Sequence, residues 1–187
     1  MLDPCVRGVI INCSGKEIFQ KGGRILKTVL VCGVPCSGKT TFCRYLKTKP
    51  FFWNWVHIDA ADVRGTVCRD LGFSDSDRMK NLENTAYICN ILNKNGANVL
   101  LSFVAPRARY RERMREIVSR YSKFYVVWLK CSLEKAQVRD TRGVYKQPLM
   151  FQFEPPRDAL VLDANLLDFN NFYLKLLEFL KVGSSLD

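Results

Sequence analysis

The segment Gly33-Val34-Pro35-Cys36-Ser37-Gly38-Lys39-Thr40 constrains this chain more than any other. Its spacing is that of a phosphate-cradling loop, which works only between a buried strand and a helix. Both flanks are present. Thr28-Val29-Leu30-Val31-Cys32 is a continuous apolar run, as expected of a strand buried on both faces. A helix is predicted from about Lys39 to Lys47. The glycines let the backbone turn its N–H groups inward around phosphates, and the helix start adds unpaired donors. In this arrangement Lys39 reaches the β- and γ-phosphates of ATP, and Thr40 offers a hydroxyl to magnesium. The candidate nucleotide contacts are therefore Gly33, Pro35, Cys36, Ser37, Gly38, Lys39, Thr40 and Thr41, with Thr40 also the candidate Mg2+ ligand.

From Lys27 onward strands and helices alternate. Further strands are predicted at Trp55–Ile58, Asn98–Phe103, Phe124–Leu129 and Leu160–Asp163. Further helices are predicted at about Ser76–Asn95, Arg107–Tyr121 and Asp168–Lys181, with Gly96 as a C-cap. Repeated strand–helix units imply an α/β protein: a three-layer P-loop NTPase fold with a parallel five-stranded sheet and helices on both faces. Ligands of such sheets bind at the carboxyl ends of the strands.

A chain of 187 residues suits one domain, and with 48% hydrophobic residues it folds rather than staying disordered. No stretch approaches the ~20 apolar residues of a membrane span. Met1-Leu2-Asp3-Pro4-Cys5 lacks the basic-then-apolar order of a secretory signal, so a cytoplasmic protein with no membrane partner is expected. The eight cysteines include no Cys-x-x-Cys, and His57 is the only histidine, which argues against zinc. Reduced thiols are expected, with a redox pair at Cys32 and Cys36 as the minor alternative. A net charge of +11 points to anionic partners. It does not choose between a nucleotide, a sulfated nucleotide and a nucleic acid, and a solvated basic surface explains it as well.

A phosphate loop specifies a nucleotide, not a reaction. Asp59 directly follows the second strand, in Ile58-Asp59-Ala60-Ala61-Asp62-Val63-Arg64. A carboxylate there serves as base for an acceptor hydroxyl or organises magnesium, which makes Asp59 and Lys39 the candidate catalytic residues. It serves equally as a helix N-cap. Arg64 suits an anionic acceptor. From here the sequence resembles the adenylylsulfate kinase family. Asp59 to Arg64, then Arg69-Asp70-Leu71-Gly72-Phe73-Ser74, then Asp77-Arg78 and Asn81 are similar to its Asp-Gly-Asp-Asn-(Val/Ile)-Arg, Asp-Leu-Gly-Phe-Ser and Asp-Arg-x-Glu-Asn. Ser102-Phe103-Val104-Ala105-Pro106 resembles Ser-Phe-Ile-Ser-Pro. Arg139-Asp140-Thr141-Arg142-Gly143-Val144-Tyr145-Lys146 resembles Arg-Asp-Pro-Lys-Gly-Leu-Tyr-Lys. Phe153-Glu154-Pro155-Pro156 and Leu160-Val161-Leu162-Asp163 continue the likeness, which runs from about Lys27 to the C-terminus.

The resemblance implies a kinase that transfers the γ-phosphoryl of ATP to the 3′-hydroxyl of adenosine 5′-phosphosulfate, making PAPS in sulfate activation. It implies that Arg64, Arg78 and Asn81 hold this small anionic nucleotide and that Phe73 stacks on its adenine. It further implies that Ser102, Phe103, Val104 and Pro106 line the acceptor groove, that Lys146 touches the anionic group, and that Arg139 lies over the ATP base. Residues 27–187 then form the P-loop kinase domain and residues 1–26 an N-terminal extension, in which Val9-Ile10-Ile11 is a short strand candidate.

The sequence departs from the family in three places. Ala61 stands where the family has a second aspartate, with Asp62 adjacent, and Ala105 replaces a serine. Only Gln147 to Gln152 separate Lys146 from Phe153, where the family has a long lid. Lids exclude water and complete an acceptor site, so a short one implies weaker and wetter acceptor binding, with Phe151 the candidate for the lid's aromatic residue. Two other readings stay open. One is a kinase of another hydroxyl acceptor: a nucleoside, a small molecule or a polynucleotide 5′-end. The basic helix from Arg107 would suit the polynucleotide, although Glu112 and Glu116 read as intrahelical partners of its arginines. The other is a non-catalytic nucleotide-binding module. A homodimer and a nucleic-acid partner also stay open.

Overall fold

A computed structural model describes residues 9–11, 17–19, 25–147 and 151–182. The rest of the N-terminal extension and lid residues Pro148–Met150 lie outside the described residues. Near the N-terminus β1 (Val9–Ile11) pairs antiparallel with β2 (Glu17–Phe19) as a separate two-stranded sheet. The strand candidate at Val9 is thus half of a hairpin whose other half the sequence did not reveal.

The main sheet holds β3 (Lys27–Cys32), β4 (Trp55–Asp59), β5 (Asn98–Ser102), β6 (Lys123–Lys130) and β7 (Leu160–Asp163), all parallel, in the order β4-β5-β3-β6-β7. Parallel neighbours cannot be joined by tight turns, so the chain crosses the faces through helices. These are α1 (Lys39–Lys47), α2 (Ala60–Gly65), α3 (Asp75–Lys94), α4 (Ala108–Val118), α5 (Leu133–Val138) and α6 (Phe169–Val182).

Period-two alternation along β3 explains the three layers. Val29 and Val31 pack with Phe42 and Leu46 of α1 and with Phe172, Leu176 and Leu180 of α6. Leu30 and Cys32 face the other way, onto Leu82, Ala86 and Cys89 of α3 and Tyr110, Met114 and Val118 of α4. Val29, Leu30 and Val31 are wholly buried, and each such side chain contributes roughly 1.5–3 kcal/mol against the entropy of ordering it.

The helix ends are specified locally. The Ser74 hydroxyl accepts from Asp77 N at 3.1 Å to start α3, and Gly96, at φ 84°, takes the left-handed turn that ends it. The basic helix, expected to reach Tyr121, stops at Val118. The chain turns there because Ser122 points inward, where its hydroxyl meets Thr28 at 2.8 Å and Asn93 at 3.0 Å in a buried polar cluster. The start of α4 is capped from a distant segment, with Ala108 N donating to the Glu154 carboxylate at 2.6 Å. Buried Arg111 donates to the carbonyls of Ala105 and Glu154, each at 2.7 Å. Phe153 stacks on Trp128. Together these contacts lock the return segment of the lid onto the end of β5 and the start of α4. Among the described residues no helix is long and apolar enough to cross a membrane.

Candidate active site

The phosphate loop leaves β3 at the centre of the sheet. Gly33 has φ 148°, and a Cβ there would lie 2.6 Å from the Leu129 carbonyl oxygen, so only glycine fits. Gly38, at φ 93°, is the N-cap of α1. Cys36 also takes a left-handed conformation, at φ 60°, and its thiol donates to the Asp140 carboxylate at 3.6 Å. Pro35 offers its carbonyl to the Tyr145 hydroxyl at 2.8 Å. Ser37 is buried and Thr41 is exposed. Lys39 Nζ donates to the Val34 carbonyl at 2.7 Å from a buried position, and burial pushes its pKa down to about 8. Cys32 is wholly buried and its thiol is pushed up to about 12, and burial raises Cys36 as well. Both shifts favour the reduced, neutral thiols expected here over a reactive pair.

Asp59 ends β4, directly opposite Ser102 of β5 in the sheet register. Its Oδ2 accepts from Thr40 Oγ1 at 2.6 Å and from Ser102 Oγ at 2.5 Å, and its Oδ1 accepts from Ala61 N at 2.9 Å. Burial opposes the carboxylate charge, but these three hydrogen bonds outweigh it and hold the pKa below its ordinary value. Asp59 is thus both the N-cap of α2 and a partner of the phosphate loop. A carboxylate so well supplied with donors is a weak base and a good organiser of the Thr40 hydroxyl. The neighbouring Asp62 is exposed in the first turn of α2 and, unlike Asp59, makes no side-chain hydrogen bond to Thr40 or Ser102.

His57 is the residue that sequence reasoning missed. Its Nε2 lies 2.8 Å from Ser102 Oγ, and burial pushes its pKa down. The strand period could have found it, since residues 57 and 59 of one strand share a face.

On the acceptor side, Phe73 is 59% exposed, which rules out a core role. The Arg64 guanidinium sits 4.4 Å from its ring centroid and that of Arg78 5.3 Å. Arg64 is fixed by the carbonyls of Leu71 and Gly72, and Arg78 by that of Phe73. Arg78 also lies 5.0 Å from the Phe151 ring, so the short lid does bring an aromatic residue to this place. Burial lowers both arginine pKa values, and the charge of Arg64 lowers that of Arg78 further. Asn81, one turn along α3 from Arg78, is buried with its side-chain oxygen lacking any partner among the described residues.

The remaining candidates scatter. Phe103 packs in the core, so only its backbone can face a ligand, and Pro106 is buried while Val104 is half-buried. Lys146 is exposed on a short 3-10 turn, Val144–Lys146. Arg139 donates to the carbonyls of Ala164 at 2.7 Å and Asn165 at 2.9 Å, which leaves its flat face as the surface for stacking. A cleft of about 540 Å³ lies between Val34 of the phosphate loop and Tyr145, Phe151 and Phe153, with Trp128 and Cys131 among the other walls.

Among the described residues no group of three or more His, Cys, Asp or Glu side chains could enclose a metal ion. Magnesium keeps most of its waters and takes few protein ligands beside substrate phosphates. A single hydroxyl, Thr40, backed by Asp59 fits that requirement.

The sequence model of the adenylylsulphate kinase family matches residues 26–152, more than half of the chain. The chain is 33% identical over 162 residues to a probable adenylyl-sulfate kinase of Aeropyrum pernix, covering 78% of this chain and 88% of that one. It is 28% identical over 180 residues to a probable adenylyl-sulfate kinase of Bacillus subtilis, covering 89% and 91%. Its fold is similar to that of the Mycobacterium tuberculosis APS kinase in complex with AMPPNP and APS, with a TM-score of 0.72 over 81% of this chain and 98% of that one at 22% identity. The chain therefore belongs to the adenylylsulphate kinase family, and is a P-loop kinase that uses ATP and magnesium to phosphorylate an alcohol group.

Proposed function

We propose that the alcohol is the 3′-hydroxyl of adenosine 5′-phosphosulfate and the product PAPS. The observation that carries this reading is the group Arg64, Phe73, Arg78 and Asn81. Two guanidiniums held near one exposed aromatic ring repel each other, and an anion joined to a flat base relieves that repulsion while using the ring. Asn81 adds a buried acceptor for a base N–H. Phe151 flanks the same place, so an adenine ring has an aromatic residue from the lid as well as from the turn before α3. In this reading Ser102, Val104, Pro106 and the Phe103 backbone floor the acceptor groove, Lys146 meets the anionic group and Arg139 stacks on the ATP base.

The residues divide the chemistry. Lys39 and the loop N–H groups bind the transferring phosphoryl, and Asp59 orients Thr40 toward magnesium rather than deprotonating the acceptor. Bound magnesium supplies charge neutralisation on the phosphates. The kinase domain in this reading is residues 27–187, acting on metabolites of the cytoplasm.

The deciding experiment follows transfer of labelled γ-phosphoryl from ATP with magnesium to adenosine 5′-phosphosulfate, to nucleosides and to a 5′-hydroxyl oligonucleotide. Rapid labelling of the first alone is the expected result. Labelling of another acceptor with none of the first overturns the substrate, and labelling of none with ATP still bound favours a non-catalytic module.

A further inference from the structure

The protons around Asp59 can be counted. An ionised carboxylate only accepts, and a serine or threonine hydroxyl has one proton to give. Thr40 and Ser102 both spend theirs on Asp59 Oδ2, at 2.6 and 2.5 Å. Ser102 Oγ therefore has no proton left for His57, yet His57 Nε2 lies 2.8 Å away. That contact is a hydrogen bond only if His57 donates. The chain of bonds runs one way, from His57 to Ser102 to Asp59, and Thr40 meets Asp59 from the other side. With its proton committed, Thr40 can turn only lone pairs toward a nucleotide's metal.

We propose that His57 is a positioning residue for the magnesium nucleotide: its Nε2–H holds the Ser102 hydroxyl against Asp59, and this fixes the orientation of the Thr40 hydroxyl. Hydrogen bonds in series polarise one another, so the first donor strengthens the second. The sheet builds this without effort. Residues 57 and 59 share a face of β4, and the register sets Asp59 beside Ser102. Without the imidazole, the Ser102 hydroxyl keeps its acceptor but loses the donor that fixes its rotamer. Nucleotide without metal is held by Lys39 and the loop N–H groups, which this chain of bonds does not touch.

The proposal rests on the use of ATP and magnesium, not on the identity of the acceptor, and its test involves no acceptor. A failed acceptor assay and a failed test of His57 are therefore separate outcomes. His57 is the only histidine in the sequence, so histidine-selective nitrogen-15 labelling gives one imidazole to observe. The expected spectrum is that of an imidazole with its proton on Nε2, and a proton on Nδ1 alone overturns the proposal without any variant. Calorimetry then measures ATP affinity with magnesium and with chelator. In His57→Leu the enhancement by magnesium should shrink by about three- to tenfold, as expected for one supporting hydrogen bond, with metal-free affinity unchanged. His57→Gln, whose amide N–H₂ reaches the same region, should recover most of the enhancement. Full enhancement in His57→Leu, or equal loss in both variants at matched thermal midpoints, overturns it.

Discussion

Lys39 holds its charge where burial penalises it, and this gives a pH signature. Its pKa of about 8 in the folded protein lies below its ordinary 10.5. Between those values the unfolded chain binds more protons than the folded one, so stability rises with pH across that window, and below it the penalty is complete. Lys39→Met should therefore match or exceed the thermal midpoint of the parent at pH 7 while losing phosphoryl transfer, and a variant that kept most of its turnover would remove the role given to this loop. Nucleotide phosphates favour the charged lysine, so above pH 8 binding takes up a proton. ATP affinity should fall by up to about tenfold per pH unit as pH rises through about 8, and calorimetry should show no such fall in Lys39→Met. Asp59→Asn tests a different property. An asparagine turns an N–H₂ or a poorer acceptor toward two hydroxyl donors, so turnover should fall by about 10²–10³-fold with metal-free ATP binding nearly unchanged. Near-normal turnover would leave Asp59 as a helix cap only. On the acceptor side, Arg64→Ala and Arg78→Ala should each raise the KM for adenosine 5′-phosphosulfate by about 10–100-fold and that for ATP by much less. Equal effects on both substrates would place these arginines elsewhere in the cycle.

Arg111 shows what one side chain does for neighbouring elements. It bonds two carbonyls from separate segments in a buried place. Arg111→Leu leaves both without a donor and should cost about 2–4 kcal/mol, a drop of roughly 5–15 °C in thermal midpoint for a chain of this size. A change of under a degree would mean that water replaces the guanidinium. The regular elements themselves were mostly legible, because α1, β7 and the five-strand alternation declare themselves within one stretch of sequence. α2 and α5 escaped because six residues are too few to show a helical period. The site divides in the same way. The phosphate loop was legible because its spacing is local. The bond between Ser102 and Asp59 joins residues 43 apart, and only the pairing of β4 with β5 brings His57 to it. Arg64 was a candidate from its position after Asp59, Arg78 and Phe73 came from the family resemblance, and the packing of both arginines about the Phe73 ring is visible only in the fold. Phe151 could not be placed from sequence because the lid has another length here.

The net charge of +11 is distributed less favourably for a polynucleotide than the basic helix suggested. Arg107 and Arg109 of that region pair with Asp75, Arg113 with Glu83 and Glu116, and Arg115 with Glu112. Exposed pairs like these add little stability, but they cancel the local field that a phosphate backbone would need. A 5′-hydroxyl oligonucleotide should bind weakly even at low salt, as filter binding or anisotropy would read. Tight, steeply salt-dependent binding would contradict this. The sheet order has a further consequence. β3 and its loop occupy the middle, most of the contacts proposed for the acceptor follow β4 and β5 on one flank, with Lys146 and Phe151 reaching in from the segment after β6, and Arg139 with its carbonyl partners follows β6 and β7 on the other. In the proposed reading the two substrates therefore approach mainly from opposite sides and meet at the centre. Inheritance can act on the flanks separately: the ATP half depends on backbone turns that tolerate almost no change, while the acceptor half hangs on a few side chains from independent segments. In that reading a change of lid length or of one aspartate falls on the acceptor flank and spares the phosphate loop, so a new alcohol could be tried without reinventing the phosphoryl donor.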